Sequence, residues 1–164
     1  MPVFQKDPSS PAEPQAAAQF LVFTLRGEEY ALPLTDIREI VAVPETTPVP
    51  NMPPAVRGVA NLRGRVVTVI DLAAHLALPA SEETQPLIIV AEKGNELFGL
   101  LAHEAREVLR IEPSEQQETP ETLRSHPGAH ALKGVIVHKG ATERLILSLD
   151  LPHILGAFGA AHSS

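Results

Sequence analysis

Apolar residues in this chain come in short dense runs, broken every six to ten positions by glycine and charge. Phe20-Leu-Val-Phe-Thr-Leu25 and Tyr30-Ala-Leu-Pro-Leu34 flank Arg26-Gly27-Glu28-Glu29, which predicts a β-hairpin. Pro33 cannot donate to a ladder, so its strand lies at an edge or ends there. Leu87–Glu92 and Glu96–Leu101 around Lys93-Gly94-Asn95 predict a second hairpin. Gly134–His138 and Arg144–Asp150 around Lys139–Glu143 predict a third. Val108–Ile111 reads as one more short strand, and Asp36–Val41 also reads as extended chain. Helix is scarce: Asp71 caps a short turn over Leu72–Ala77 that Pro79 stops, and Leu151–Leu155 suits a last turn. Segments 79–86 and 113–130 read as loops, the second with room for a turn near Pro120–Arg124. Around nine short strands with glycine turns and little helix indicate an all-β fold of small barrels or a sandwich. The two halves offer hairpins of similar length, which suggests two barrels side by side, although their sequences are too unlike to claim a repeat.

The segment Pro48–Leu72 is the most informative. Prolines stiffen the approach, Asn61-Leu62-Arg63-Gly64 makes a tight turn, and the apolar strand Arg65–Leu72 leaves it. Arg63 is either a solvated turn arginine with a passing ion pair or a held anchor for a partner. Guanidinium offers five fixed donors and a permanent charge, and Gly58 and Gly64 let backbone approach closely or adopt positive φ. Glu39, among Ile37, Ile40 and Val41, is either the solvent face of an alternating strand or a carboxylate facing the same partner.

Composition narrows the chemistry. The chain has 164 residues, 44% of them hydrophobic, enough for one domain or two small lobes with a shared core. A net charge of −7 argues against a nucleic-acid coat or an anionic membrane surface. No cysteine is present, so disulfides, thiolate metal sites and cysteine nucleophiles are excluded. Seven histidines are scattered. His126 and His130 have helical spacing, but Pro127 and Gly128 lie between them, so no metal is expected. No Gly-x-Ser-x-Gly elbow or phosphate-cradling loop occurs, so no catalytic residue and no cofactor is expected. Four prolines in the first 14 residues and little apolar surface predict a disordered tail over 1–18, and 156–164 reads as a C-terminal tail. No signal-like start and no bilayer-length apolar run are seen, which favours a cytoplasmic protein without direct membrane insertion.

These residues resemble the CheW-like family of chemotaxis coupling proteins. The resemblance rests on Phe20–Leu25 with Glu28-Glu29-Tyr30, then Ile37-Arg-Glu-Ile40 and Val49-Pro-Asn51. Gly58-Val-x-Asn-Leu-Arg-Gly64 and Val69-Ile-Asp-Leu72 follow, then Leu87–Val90, Gly99-Leu-Leu, Glu107-Val-Leu and Leu145–Asp150. It spans roughly 19–155, and the Gly-Val-x-Asn-Leu-Arg-Gly run is its most specific part. It implies two SH3-like five-stranded β-barrels around a shared hydrophobic core. It also implies a non-enzymatic adaptor, receptor-associated at the inner membrane, that couples transmembrane methyl-accepting chemoreceptors, at their cytoplasmic tips, to a CheA-type histidine kinase. Ring contacts with itself or paralogues are part of the same implication. Carried over, Ile37, Glu39, Gly58, Asn61, Arg63 and Gly64 are the candidate receptor and kinase docking residues. Two departures stand out. Ala102-His103-Glu104-Ala105 replaces the family's Val-Asp-Gly-Val, and Ala31-Leu32-Pro33 replaces Gly-Ile-Asp. They fit a paralogue serving pilus motility or a diguanylate cyclase output. The rival class, a small-barrel nucleic-acid binder, lacks basic grooves and aromatic platforms, and a cryptic hydrolase lacks any constellation to carry it.

Overall fold

The computed structural model describes residues 17–79 and 86–159. The tail expected over 1–18 therefore falls outside them up to residue 16, as do most of the 79–86 loop and residues 160–164. Among the described residues twelve strands form two sheets: β1 (Ala18–Leu25), β2 (Glu28–Pro33), β3 (Glu39–Ala42), β4 (Thr46–Thr47), β5 (Val56–Leu62), β6 (Arg65–Asp71), β7 (Leu87–Lys93), β8 (Glu96–Ala102), β9 (Glu104–Ile111), β10 (Gln116–Gln117), β11 (Leu132–Lys139) and β12 (Glu143–Leu149). Helix α1 (Leu72–His75) follows β6 and helix α2 (Leu151–Gly159) follows β12. The three hairpins lie where the sequence puts them. Pro33 ends β2, which sits inside its sheet between β1 and β12 rather than at an edge.

One sheet has the order β3-β7-β8-β6-β5-β4, the other β9-β1-β2-β12-β11-β10. Each has five longer strands and a two-residue sixth. Both are curled, as chain length requires. β3 and β4 are opposite edges of their sheet, yet only residues 43–45 join them. Four residue steps span at most about 14 Å, whereas six flat strands are about 24 Å across. The same holds for β9 and β10, joined by a turn over Pro113–Glu115. These are the two SH3-like barrels.

The barrels are not the N- and C-terminal halves. Each half of the chain supplies a hairpin followed by four strands, and the halves exchange hairpins: β1–β2 completes the barrel of β9–β12, and β7–β8 completes that of β3–β6. Equivalent positions match. The parallel pairs are β6–β8 and β12–β2. Gly58 pairs Val69 beside a bulge and Gly134 pairs Ser148 beside another. A Cβ on Gly58 would stand 2.1 Å from the Thr47 carbonyl oxygen, and one on Gly134 would stand 2.4 Å from that of Gln117. Asp71 and Asp150 each accept a backbone N–H at the start of the following helix. The duplication that sequence identity alone does not support is present in the topology.

Exchange also explains the unbroken apolar runs. In β1, Phe20 and Val22 fill one barrel, while Leu21, Phe23 and Leu25 enter the core between barrels. In β7, Ile88 and Val90 fill the other barrel, while Ile89 and Ala91 join the shared core. Strands buried on both faces lose polar alternation. The shared core is closed by α2, which is longer than the turn expected over 151–155 because Ile154, Leu155 and Phe158 continue its buried stripe.

Candidate docking face

Residues Leu62 and Arg65 pair, leaving Arg63-Gly64 as a two-residue loop. Both have positive φ, 51° and 87°, the type I′ geometry that suits the twist of a hairpin. The Asn61 side-chain oxygen accepts the Gly64 N–H at 2.8 Å and fastens the turn. An arginine held in the left-handed region is unusual: its side chain is aimed by backbone that a β-branched residue could not adopt. Arg63 remains 65% exposed and donates through Nη2 to Glu39 Oε2. Glu39 arrives on β3, paired with Val90 of β7, on the strand face of Val41, which packs on the barrel interior. The structure thus brings Glu39, Asn61, Arg63 and Gly64 together at one end of the barrel.

Ile37 and Gly58 do different work. Ile37 packs on the shared core and borders a groove of about 390 Å³ between the segment 35–38 ahead of β3, the end of β7 and α2, with Leu151, Pro152 and Leu155 on the α2 side. Gly58 lies up β5 from the turn, where its missing Cβ lets β4 close against β5. Its effect on this barrel runs through the backbone alone.

Further residues belong to this face and escape a reading of the sequence. Arg38 Nη1 donates to Glu92 Oε1 at 2.6 Å, and Arg65 lies 3.5 Å from the other oxygen of Glu92 while also bonding the Asn95 carbonyl. Arg38, Glu92 and Arg65 thus form a lattice of opposite charges, next in sequence to the Glu39–Arg63 pair, and Ile40 on β3 and Val66 on β6 are exposed, Val66 to 67%. The hairpin exchange assembles this lattice, because Glu92 reaches β3 and β6 only once β7–β8 joins their barrel. Exposed pairs of this kind contribute about 0.2–1 kcal/mol each, so they hold side chains in place yet yield readily to a partner's charges.

In the other barrel the equivalent carboxylate meets an arginine in a different setting. Glu107 on β9 pairs Val22 as Glu39 on β3 pairs Val90. Its arginine, Arg144, is half-buried and committed to Glu29 at 2.7 Å and Glu107 at 2.7 Å. The Glu29 carboxylate holds the Arg144 guanidinium charged even more firmly than usual. At the departure from the family pattern, Ala102 is buried in the shared core, the His103 ring bonds Arg26 Nη1, and Glu104 accepts the Thr24 hydroxyl. His126 and His130 separate: His126 bonds Glu28, which also accepts the Tyr30 hydroxyl, and His130 faces His75. Among the described residues no group of histidines and carboxylates is arranged to hold a metal ion, and no helix is long and apolar enough to cross a membrane.

A family model described as the CheW-like domain matches residues 19–158. The chain is 38% identical over 112 residues to the chemotaxis protein CheW of Bacillus subtilis, covering 67% of this chain and 71% of that protein. It is 30% identical over 137 residues to the chemotaxis protein CheW of Rhizobium meliloti, covering 83% and 86%. A crystal structure of the scaffolding protein TtCheW from Thermoanaerobacter tengcongensis superposes with a TM-score of 0.74 at 24% identity, over 85% of this chain and 88% of that one. At that identity the likeness speaks for the fold.

Proposed function

The chain belongs to the CheW-like domain family, and from that premise we propose that it is a chemotaxis scaffold without chemistry of its own, coupling chemoreceptors to a CheA-type histidine kinase. The observation that carries this reading is Arg63, aimed outward by a type I′ turn and paired with Glu39 beside an apolar groove. Ile37, Leu151 and Leu155 give the groove an apolar floor, and Arg38, Glu92 and Lys93 give it a charged rim. An amphipathic helix from a receptor's cytoplasmic tip suits that shape, with anchors three and four residues apart entering the groove. A carboxylate on the partner would take Arg63 from Glu39, exchanging one exposed pair for another that is partly desolvated and therefore stronger. Receptor and kinase would dock at Ile37, Glu39, Asn61, Arg63 and Gly64, with Gly58 as their backbone support. Association with the inner membrane would come through the receptor.

The test is capture from native cytoplasm and membrane fractions at pH 7.5, comparing wild type with Arg63→Glu by mass spectrometry. Joint loss of a receptor and a histidine kinase in the variant supports the coupling role and names the pathway, including the pilus or cyclase alternative. Neither partner appearing with wild type after crosslinking overturns it.

A further inference from the structure

Three histidines outside the docking face converge on one spot. His75 ends α1, His130 sits in the turn Ala129–Ala131, and His153 lies in the first turn of α2. The His75 and His130 ring centres are 5.4 Å apart and edge-on, those of His130 and His153 are 6.2 Å apart, and His75 also stands 5.0 Å from Phe158. His75 is partly buried, and its Nε2 is buried without a hydrogen-bond partner. The other two histidines are exposed.

The charged groups on the surrounding elements do not neutralise these rings. Asp71, at the head of α1, takes the Ala74 N–H and pairs with Arg57. Asp150, at the head of α2, takes the His153 N–H. Glu121 pairs with Arg124, which lines a hollow together with His130. Lys93 of β7 reaches α2 near Gly156. No carboxylate among the described residues bonds to any of the three rings.

We propose that His75, His130 and His153 form an acid-sensitive latch, which holds α2 against the paired barrels while neutral and loosens it when protonated. Three effects point the same way. Charging His75 places a cation where its nitrogen has no acceptor and little water. A second or third charge meets a like charge one ring away. His153 in the first turn of a nine-residue helix puts its charge at the positive end of the helix dipole. In keeping with this, burial first, and the nearby His130 and His153 next, hold the His75 pKa below the ordinary 6.5. The sign follows: unfolded His75 takes a proton more readily than folded His75. Its contribution is therefore complete above the ordinary value and is lost as pH falls through that value toward the folded one. Because Leu151, Pro152 and Leu155 of α2 wall the docking groove, acid would slacken that groove too. That consequence rests on the docking reading; the latch does not.

The test is backbone amide exchange in the full chain at pH 7.5 and 5.5, corrected for intrinsic rates, without any partner. The Ile154 N–H bonds the Asp150 carbonyl and reports on α2, while Leu100 reports on β8. One proton taken up on opening raises the opening constant up to tenfold per pH unit. The expected result is a rise of about tenfold at Ile154 and under threefold at Leu100. Replacing the two exposed rings together, His130→Gln with His153→Gln, should cut the Ile154 rise at least threefold, and His75→Leu should abolish it. A pH-independent Ile154, an equal rise at Leu100, or an undiminished rise in the double variant would overturn the latch. Failure here leaves docking untouched, because the Arg63→Glu comparison is made with partners at pH 7.5.

Discussion

Substituting Arg63→Asn should separate stability from docking. The turn asks residue 63 for a left-handed backbone, which costs an ordinary L residue about 1–2 kcal/mol. Asparagine tolerates that conformation, and Asn-Gly is the favoured pair for a two-residue hairpin loop. Against this gain stands the lost pair with Glu39, which is worth about 0.2–1 kcal/mol because Arg63 is mostly solvated. The balance is neutral to stabilising by about 1 kcal/mol. For a chain of this size that is a Tm unchanged or higher by up to about 4 °C. Docking should respond in the opposite sense. An anchoring arginine contributes about 2 kcal/mol or more, so receptor affinity should fall about 30-fold. Scanning calorimetry gives the first quantity, and titration against an immobilised receptor cytoplasmic fragment gives the second. A Tm drop beyond about 4 °C would make Arg63 a structural residue. An unchanged Tm with unchanged affinity would remove it from the docking face.

Three other outcomes follow from the same geometry. Gly58→Ala and Gly134→Ala both drive a Cβ into a carbonyl of a two-residue strand, and Gly58 also holds a positive φ of 144°, so each should cost at least about 2 kcal/mol, Gly58→Ala the more, measured by chemical denaturation; a cost under about 1 kcal/mol at either would contradict the close approach. Arg144→Met removes the arginine shared by Glu29 and Glu107 and should cost about 1–3 kcal/mol, whereas Arg63→Met should cost under about 1, compared by thermal melting. The Glu115 carboxylate, held below the usual range by the backbone N–H groups of Glu112 and Lys139, stabilises the protein fully above about pH 4.5 and progressively less as pH falls below it. Glu115→Gln should flatten that acid limb in pH-dependent melting, and an unaltered limb would show that the edge at β10 does not need it.

Much of this was readable in the chain. Leu25-Arg26-Gly27-Glu28 and Lys93-Gly94-Asn95-Glu96 announce hairpins through local backbone chemistry, and Asn61–Gly64 announces its turn the same way. Asp71 caps α1 as its type predicts. What local chemistry does not carry is partnership between distant strands. The exchange of β1–β2 and β7–β8 is invisible because both faces of those strands are buried, which erases the alternation that would tell one barrel from the other. β4 and β10 are too short to leave a pattern. The meeting of Glu39 with Arg63, and of Glu92 with Arg38 and Arg65, depends on register across strands far apart in sequence. The matched signals of duplication, Gly58 with Gly134 and Asp71 with Asp150, are single residues that gain meaning only once the sheets align them. The histidine cluster is drawn from positions 75, 130 and 153, with no spacing to reveal it.

The hairpin exchange sets how the molecule carries force. Two barrels joined by a simple linker would swivel, and a push on one would be lost in the joint. Here the chain crosses from barrel to barrel twice, after β2 and after β8, and the interface it stitches is built of buried apolar side chains. A torque applied at the Arg63 turn therefore has no compliant hinge in which to dissipate. It would reach the far barrel as rotation of the whole body, so the protein would act as a strut that fixes the angle between partners bound to its two barrels.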